Sequence, residues 1–164
     1  MSVQIEQKED YHQKFVQQYK SIVDICKELV PLEKKVLKYE SKLQEGRISP
    51  FEVQLLKKDM DRVLELYNKM EKVSNEIREM RKQLPPEQRE TEVKAIADTK
   101  AYLYIEGMRT HSRMMGSRSE SERVMHAETM EGLSLAENII STHHMEIEEE
   151  IKKIKEELSA RKLI

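Results

Sequence analysis

The chain has 164 residues, a net charge of −2 from 29 basic and 31 acidic side chains, 38 % hydrophobic and 37 % charged residues, and only 5 % aromatics. That length suits one domain. With only four Gly and four Pro, the composition excludes a sandwich or barrel of many short strands, and low-complexity disorder as well. The balanced charge gives no overall field to draw the chain onto nucleic acid or an anionic membrane. One cysteine, Cys26, excludes an internal disulfide and a cysteine-based zinc site and suits a reducing, cytoplasmic setting.

Met1 to Asp10 is polar and is no signal peptide, and nowhere do about 18 apolar residues run together, so a soluble chain without a transmembrane segment is expected. From Phe15 to Leu43 apolar residues repeat every seventh position. One row is Phe15, Ile22, Leu29, Val36 and Leu43, and the other is Ile25, Leu32 and Tyr39. This is the pattern of a coiled-coil seam. Pro31 lies at an outward position, which predicts a kink near Val30 without a break.

Gly46 follows the last periodic residue, where a left-handed C-terminal cap suits glycine. Ser49-Pro50-Phe51-Glu52 supplies a serine N-cap, a proline in the first turn and a glutamate at the third position, a capping box. A link this short makes the two helices antiparallel neighbours. The second carries Leu56, Val63, Leu66, Met70, Val73, Ile77, Met80 and Leu84, with Asp59 as a polar intruder. Residues 1–84 therefore read as an antiparallel hairpin with helices over about 10–45 and 50–84.

Pro85-Pro86 stops the second helix, and Pro86-Glu87 is placed to open a third. Residues 85–164 read as a C-terminal helical segment, with helices over about 87–115 and 122–162, packed on the hairpin or extending from it as one domain. In the third helix Ala97, Ala101, Tyr104, Met108, His111 and Met115 form a stripe, with Val93, Ile96 and Leu103 beside it. The stretch from Gly107 to Ser121, with Gly116, is a candidate hinge. The last helix carries the rows Met130, Glu137, His144, Ile151, Leu158 and Leu133, Ile140, Ile147, Ile154. The fold class is thus all-α: a long helical hairpin plus further long helices in a coiled-coil-like bundle.

Chemistry-bearing sets are sparse. A helical di-metal site needs two Glu-x-x-His pairs and two more carboxylates. Only Glu9-Asp10-Tyr11-His12 has the spacing, so no metal or other cofactor is expected. His143 and His144 point about 100° apart on a helix, which places His144 on the seam and His143 on its flank. Glu137 and His144 are polar intruders of the kind that fix register or partner number. The simplest reading puts them at a loosely packed or exposed end of the seam. A buried His144 would instead weaken the assembly on protonation below about pH 6.5. Cys26, beside Ile25, reads as a small packing residue. There is no Gly-x-Ser-x-Gly and no Gly-rich phosphate loop, and an enzyme is not expected.

Arg109, His111, Arg113 and Arg118 lie among Ser112, Ser117, Ser119 and Ser121, a basic patch open to phosphorylation. The ten Met residues supply adaptable apolar surface.

The expected function is a non-catalytic coiled-coil interaction module, a structural, adaptor or tethering subunit of a larger cytoplasmic assembly. Its protein partners, in a homo- or hetero-oligomer, would bind through the seam residues Ile22, Leu29, Val36, Leu43, Val63, Met70, Ile77, Ile140, His144, Ile147, Ile151 and Ile154. An N-terminal helical bundle followed by one heptad-bearing helix, Met130 to Leu158, also resembles the cytosolic region of a Qb-type SNARE. The resemblance implies a role in membrane fusion. The central layer of that family holds a Gln where this seam offers Glu137 or His144. A helical-bundle enzyme or metal carrier is a third reading.

Overall fold

In the computed structural model the described residues are 2–86, 89–105 and 130–164. Side chains are described from Tyr11 in the first helix and from Glu137 in the last, Ile139 excepted. The described chain is all-α, with no strand among these residues: α1 (Ser2–Gln44), α2 (Pro50–Gln83), α3 (Glu90–Thr99) and α4 (Met130–Ala160).

The α1–α2 turn forms as the sequence dictates. Gly46 takes φ +69°, a conformation that costs an L side chain but not glycine. Ser49 is extended at φ −85°, ψ 159°. Its Oγ accepts from the Glu52 N–H at 3.2 Å, while its own N–H donates to Glu52 Oε1 at 3.1 Å. Two orphan donors of the helix start are thereby satisfied reciprocally.

Cross-helix contacts set the topology. Glu28 meets Arg62 and Lys42 meets Glu52, so α1 and α2 run antiparallel. Tyr19 meets Glu92 and His12 meets Asp98, so α3 is antiparallel to α1 along its N-terminal half. His143 reaches Glu33, and Arg161 donates to the Leu43 carbonyl, so α4 runs parallel to α1 along its C-terminal half. Against α2, α4 is antiparallel, with Glu137 near Arg78, His144 near Glu71 and Lys155 near Asp61.

Several expectations need correction. Helix α1 begins at Ser2 and not near residue 10, while Pro31 is exposed and leaves the helix unbroken, as expected. The helix expected over 87–115 begins at Glu90 and stops at Thr99, because Lys100 adopts a left-handed cap at φ 56° and donates back to the Ile96 and Ala97 carbonyls. Helical conformation resumes over 101–105. The buried set is Thr91, Glu92, Ala95 and Ile96 before the break and Ala101 and Ile105 after it, while Leu103 is exposed. The expected hinge after Gly107, and the start of the last helix at 122, lie outside the described residues.

On α1 the row Phe15, Ile22, Leu29, Val36, Leu43 is buried as expected, but the second buried row is Tyr19, Cys26, Glu33, Glu40. The expected row Ile25, Leu32, Tyr39 is only partly covered. Because α1 touches α2, α3 and α4, its inward arc is wider than a two-row seam and is turned toward the last two helices.

Candidate functional site

All twelve seam residues expected to bind partners are buried in the chain's own core: Ile22, Leu29, Val36 and Leu43 on α1, Val63, Met70 and Ile77 on α2, and Ile140, His144, Ile147, Ile151 and Ile154 on α4. Within that apolar core lie two polar layers.

The first joins α1, α2 and α4. Glu33 on α1 is 2 % exposed, and Tyr67 and His143 are fully buried. The Tyr67 hydroxyl donates to Glu33 Oε1, and the same oxygen accepts from His143 Nε2 at 3.0 Å. Burial, followed by the Glu33 charge, pushes the Tyr67 hydroxyl well above its ordinary range, so it stays protonated and remains a donor. Burial and Glu33 also push the Cys26 thiol up to about 12. Tyr67 is the hub, with His143 edge-on at 5.3 Å and His144 stacked at 5.3 Å. Glu33 Oε2 and His143 Nδ1 have no hydrogen-bond partner among the described residues.

His143 is therefore not a flanking residue, and His144 is not at a loose end. The expected 100° divergence sends His143 toward α1 and His144 toward α2. His144 Nδ1 lies 2.8 Å from Glu71, and Nε2 lies 2.8 Å from Glu148, one turn along α4. Both ring nitrogens thus lie within ion-pair distance of carboxylate oxygens.

The second layer joins all four helices. Arg81 on α2 donates to both oxygens of Glu92 on α3, at 2.7 and 2.6 Å. Its NH2 group also lies 2.6 Å from Glu137 on α4. Tyr19 on α1 donates to Glu92 at 2.8 Å, and Arg78 lies 3.3 Å from Glu137. Glu92 is fully buried. Its hydrogen bonds, with those of Glu137, push the Arg81 guanidinium further up, so it stays charged. A cavity of about 20 Å³ adjoins this layer, lined by Tyr19, Ser74, Glu137, Ile96, Tyr102 and other apolar residues. It has room for about one water.

Sequence reasoning singled out Glu137 and His144 but missed Glu33, Tyr67, Arg81 and Glu92. A heptad wheel of α1 carried one usable signal: Glu33 and Glu40 sit on the same row as Tyr19 and Cys26. Arg109, Arg113, Ser117, Arg118 and Ser119 lie outside the described residues. Among the described residues no three His, Cys, Asp or Glu side chains are grouped to hold a metal, and no helix is long and apolar enough to cross a membrane. Comparison of the chain with protein-family models, with curated proteins and with solved structures finds no match.

Proposed function

We propose that the chain is a non-catalytic helical interaction module, a structural, adaptor or tethering subunit that binds protein partners along α1. The observation that carries this reading is the row Ile25, Leu32, Tyr39, which the chain's own helices leave partly exposed. It lies about 100° round the helix from the row that faces α3 and α4. On α2, Val73 and Met80 are partly buried too. Apolar residues seven apart on an incompletely covered helix are what a further helix packs against. The polar side chains inside the bundle hold helices to one another around a space of about 20 Å³, room for about one water.

Sedimentation equilibrium over a hundredfold concentration range tests the reading. The expected result is association that Ile25→Lys with Leu32→Lys abolishes at unchanged helicity. A chain that stays monomeric, and that binds no leucine-heptad helical peptide, would overturn it.

A further inference from the structure

The apolar rows of α4 cannot fix where that helix sits. Ile140, Ile147 and Ile154 are seven apart, as are Ile151 and Leu158. A slide of one heptad along the hairpin, about 10 Å, again places isoleucine or leucine at three or four of the five buried apolar levels of α4, so the apolar rows alone discriminate the registers only in part. The polar layers do distinguish them.

In the observed register Glu33 faces His143, Glu71 faces His144, and Arg81 faces Glu137. Sliding one way brings Glu150 to Glu33, setting two carboxylates against each other in the core. Ile151 then meets Glu71. Sliding the other way brings Ala136 to Glu33, which leaves that buried carboxylate without its imidazole, and sets Glu137 against Glu71. Each slip leaves the buried Glu33 carboxylate either without its imidazole or facing another carboxylate, while the native register gives it His143 and also pairs Glu71 with His144 and Arg81 with Glu137.

We infer that the Glu33–Tyr67–His143 layer is a register lock, which selects one seat for α4 on the α1–α2 hairpin out of several that the heptads alone would accept. The incomplete satisfaction of the layer supports this role. With Glu33 Oε2 and His143 Nδ1 unpartnered among the described residues, it is a poor source of stability compared with well-packed apolar side chains. Its best use is to make wrong registers worse. The lock goes beyond the proposed function, because it concerns how the chain seats its own helix and holds whether or not α1 binds a partner.

Cross-linking in the full chain tests it. In a Cys26→Ala background, Asp61→Cys with Lys155→Cys reports the native register, since those side chains lie 3.6 Å apart. Lys155→Cys with Asn68→Cys, or with Gln54→Cys, each seven residues from Asp61 on α2, reports a slip of one heptad either way. A short bismaleimide is expected to link the native pair almost alone. Replacing the layer with the apolar set Glu33→Leu, Tyr67→Phe and His143→Leu keeps the bundle folded and raises one or both slipped products at least tenfold relative to the native one. His143→Gln alone, which keeps an N–H donor for Glu33, retains the native ratio. A folded triple variant that still links only the native pair would overturn the lock, and so would His143→Gln slipping as freely as the triple variant.

Discussion

The carboxylate of Glu33 and the imidazole of His143 meet at 3.0 Å across 110 residues of sequence, both buried, and the Tyr67 hydroxyl donates to the same carboxylate oxygen. Removing the hydroxyl by Tyr67→Phe deletes one of two donors to a buried charge, which costs about 1–3 kcal/mol. In urea unfolding the loss should shrink when Glu33 has already been replaced by Gln, because the two groups act as a unit. Additive losses in that double-mutant cycle would show that they are not coupled.

Arg81 is the only cation paired with Glu92 among the described residues, and Glu92 is fully buried. Arg81→Met leaves that carboxylate buried and unpaired, a change that costs about 3–5 kcal/mol. Helix α3 spans only ten residues, too few for a helix to be stable without tertiary support. Amide exchange over 90–99 should therefore accelerate first and most, while the middle of α2 stays protected. Uniform acceleration through every helix would contradict the assignment of Arg81 as the anchor of α3.

Glu52 is held at about 2 by the hydrogen bond from Lys42 and then by those from Ser49, below its ordinary 4.5. A depressed folded value means that the carboxylate stabilises the fold above about pH 4.5, and that this contribution is lost as pH falls toward 2. Glu52→Gln should flatten the acid limb of a thermal stability profile in that window and leave the profile above pH 6 parallel to that of the parent. Ser49→Ala removes the other half of the capping box, for a loss of about 1 kcal/mol.

Cys26 carries the opposite sign. Burial, and then the Glu33 charge, push its thiol from 9.0 to about 12, so the fold favours the protonated form and loses stability as pH rises above about 9. At pH 8 a disulfide reagent should modify the native thiol on the order of a thousandfold more slowly than the thiol of the urea-unfolded chain, since thiolate is the reactive species. Comparable rates in the two states would show that Cys26 is not enclosed as described.

Most of the architecture was legible because it rests on local chemistry. The Ser49–Glu52 capping box, Gly46, and the row from Phe15 to Leu43 each specify their own structure without help from distant residues. The polar layers were not legible, because they depend on which helix faces which. Glu33 looks like any surface glutamate until α4 runs parallel beside it and brings His143 to its level. The same dependence misplaced the second buried row of α1. Ile25 and Leu32 are the more apolar pair, yet three neighbouring helices turn Cys26 and Glu33 inward.

The break at Lys100 escaped sequence reasoning for a different reason, since nothing in Asp98-Thr99-Lys100-Ala101 spells a cap. Lys100 holds φ 56° without the freedom of glycine, which costs about 1 kcal/mol. Gly46 holds φ +69°, and a Cβ there would meet nothing within 4 Å, so backbone strain alone sets the price of a side chain. The two sites should therefore respond in opposite directions. Lys100→Gly should raise stability by a few tenths to about 1 kcal/mol, and Gly46→Ala should lower it by about 1 kcal/mol. Thermal melts of both variants check this. If Lys100→Gly lowered the melting temperature instead, the lysine side chain would have to contribute more through its contacts than its backbone loses in strain.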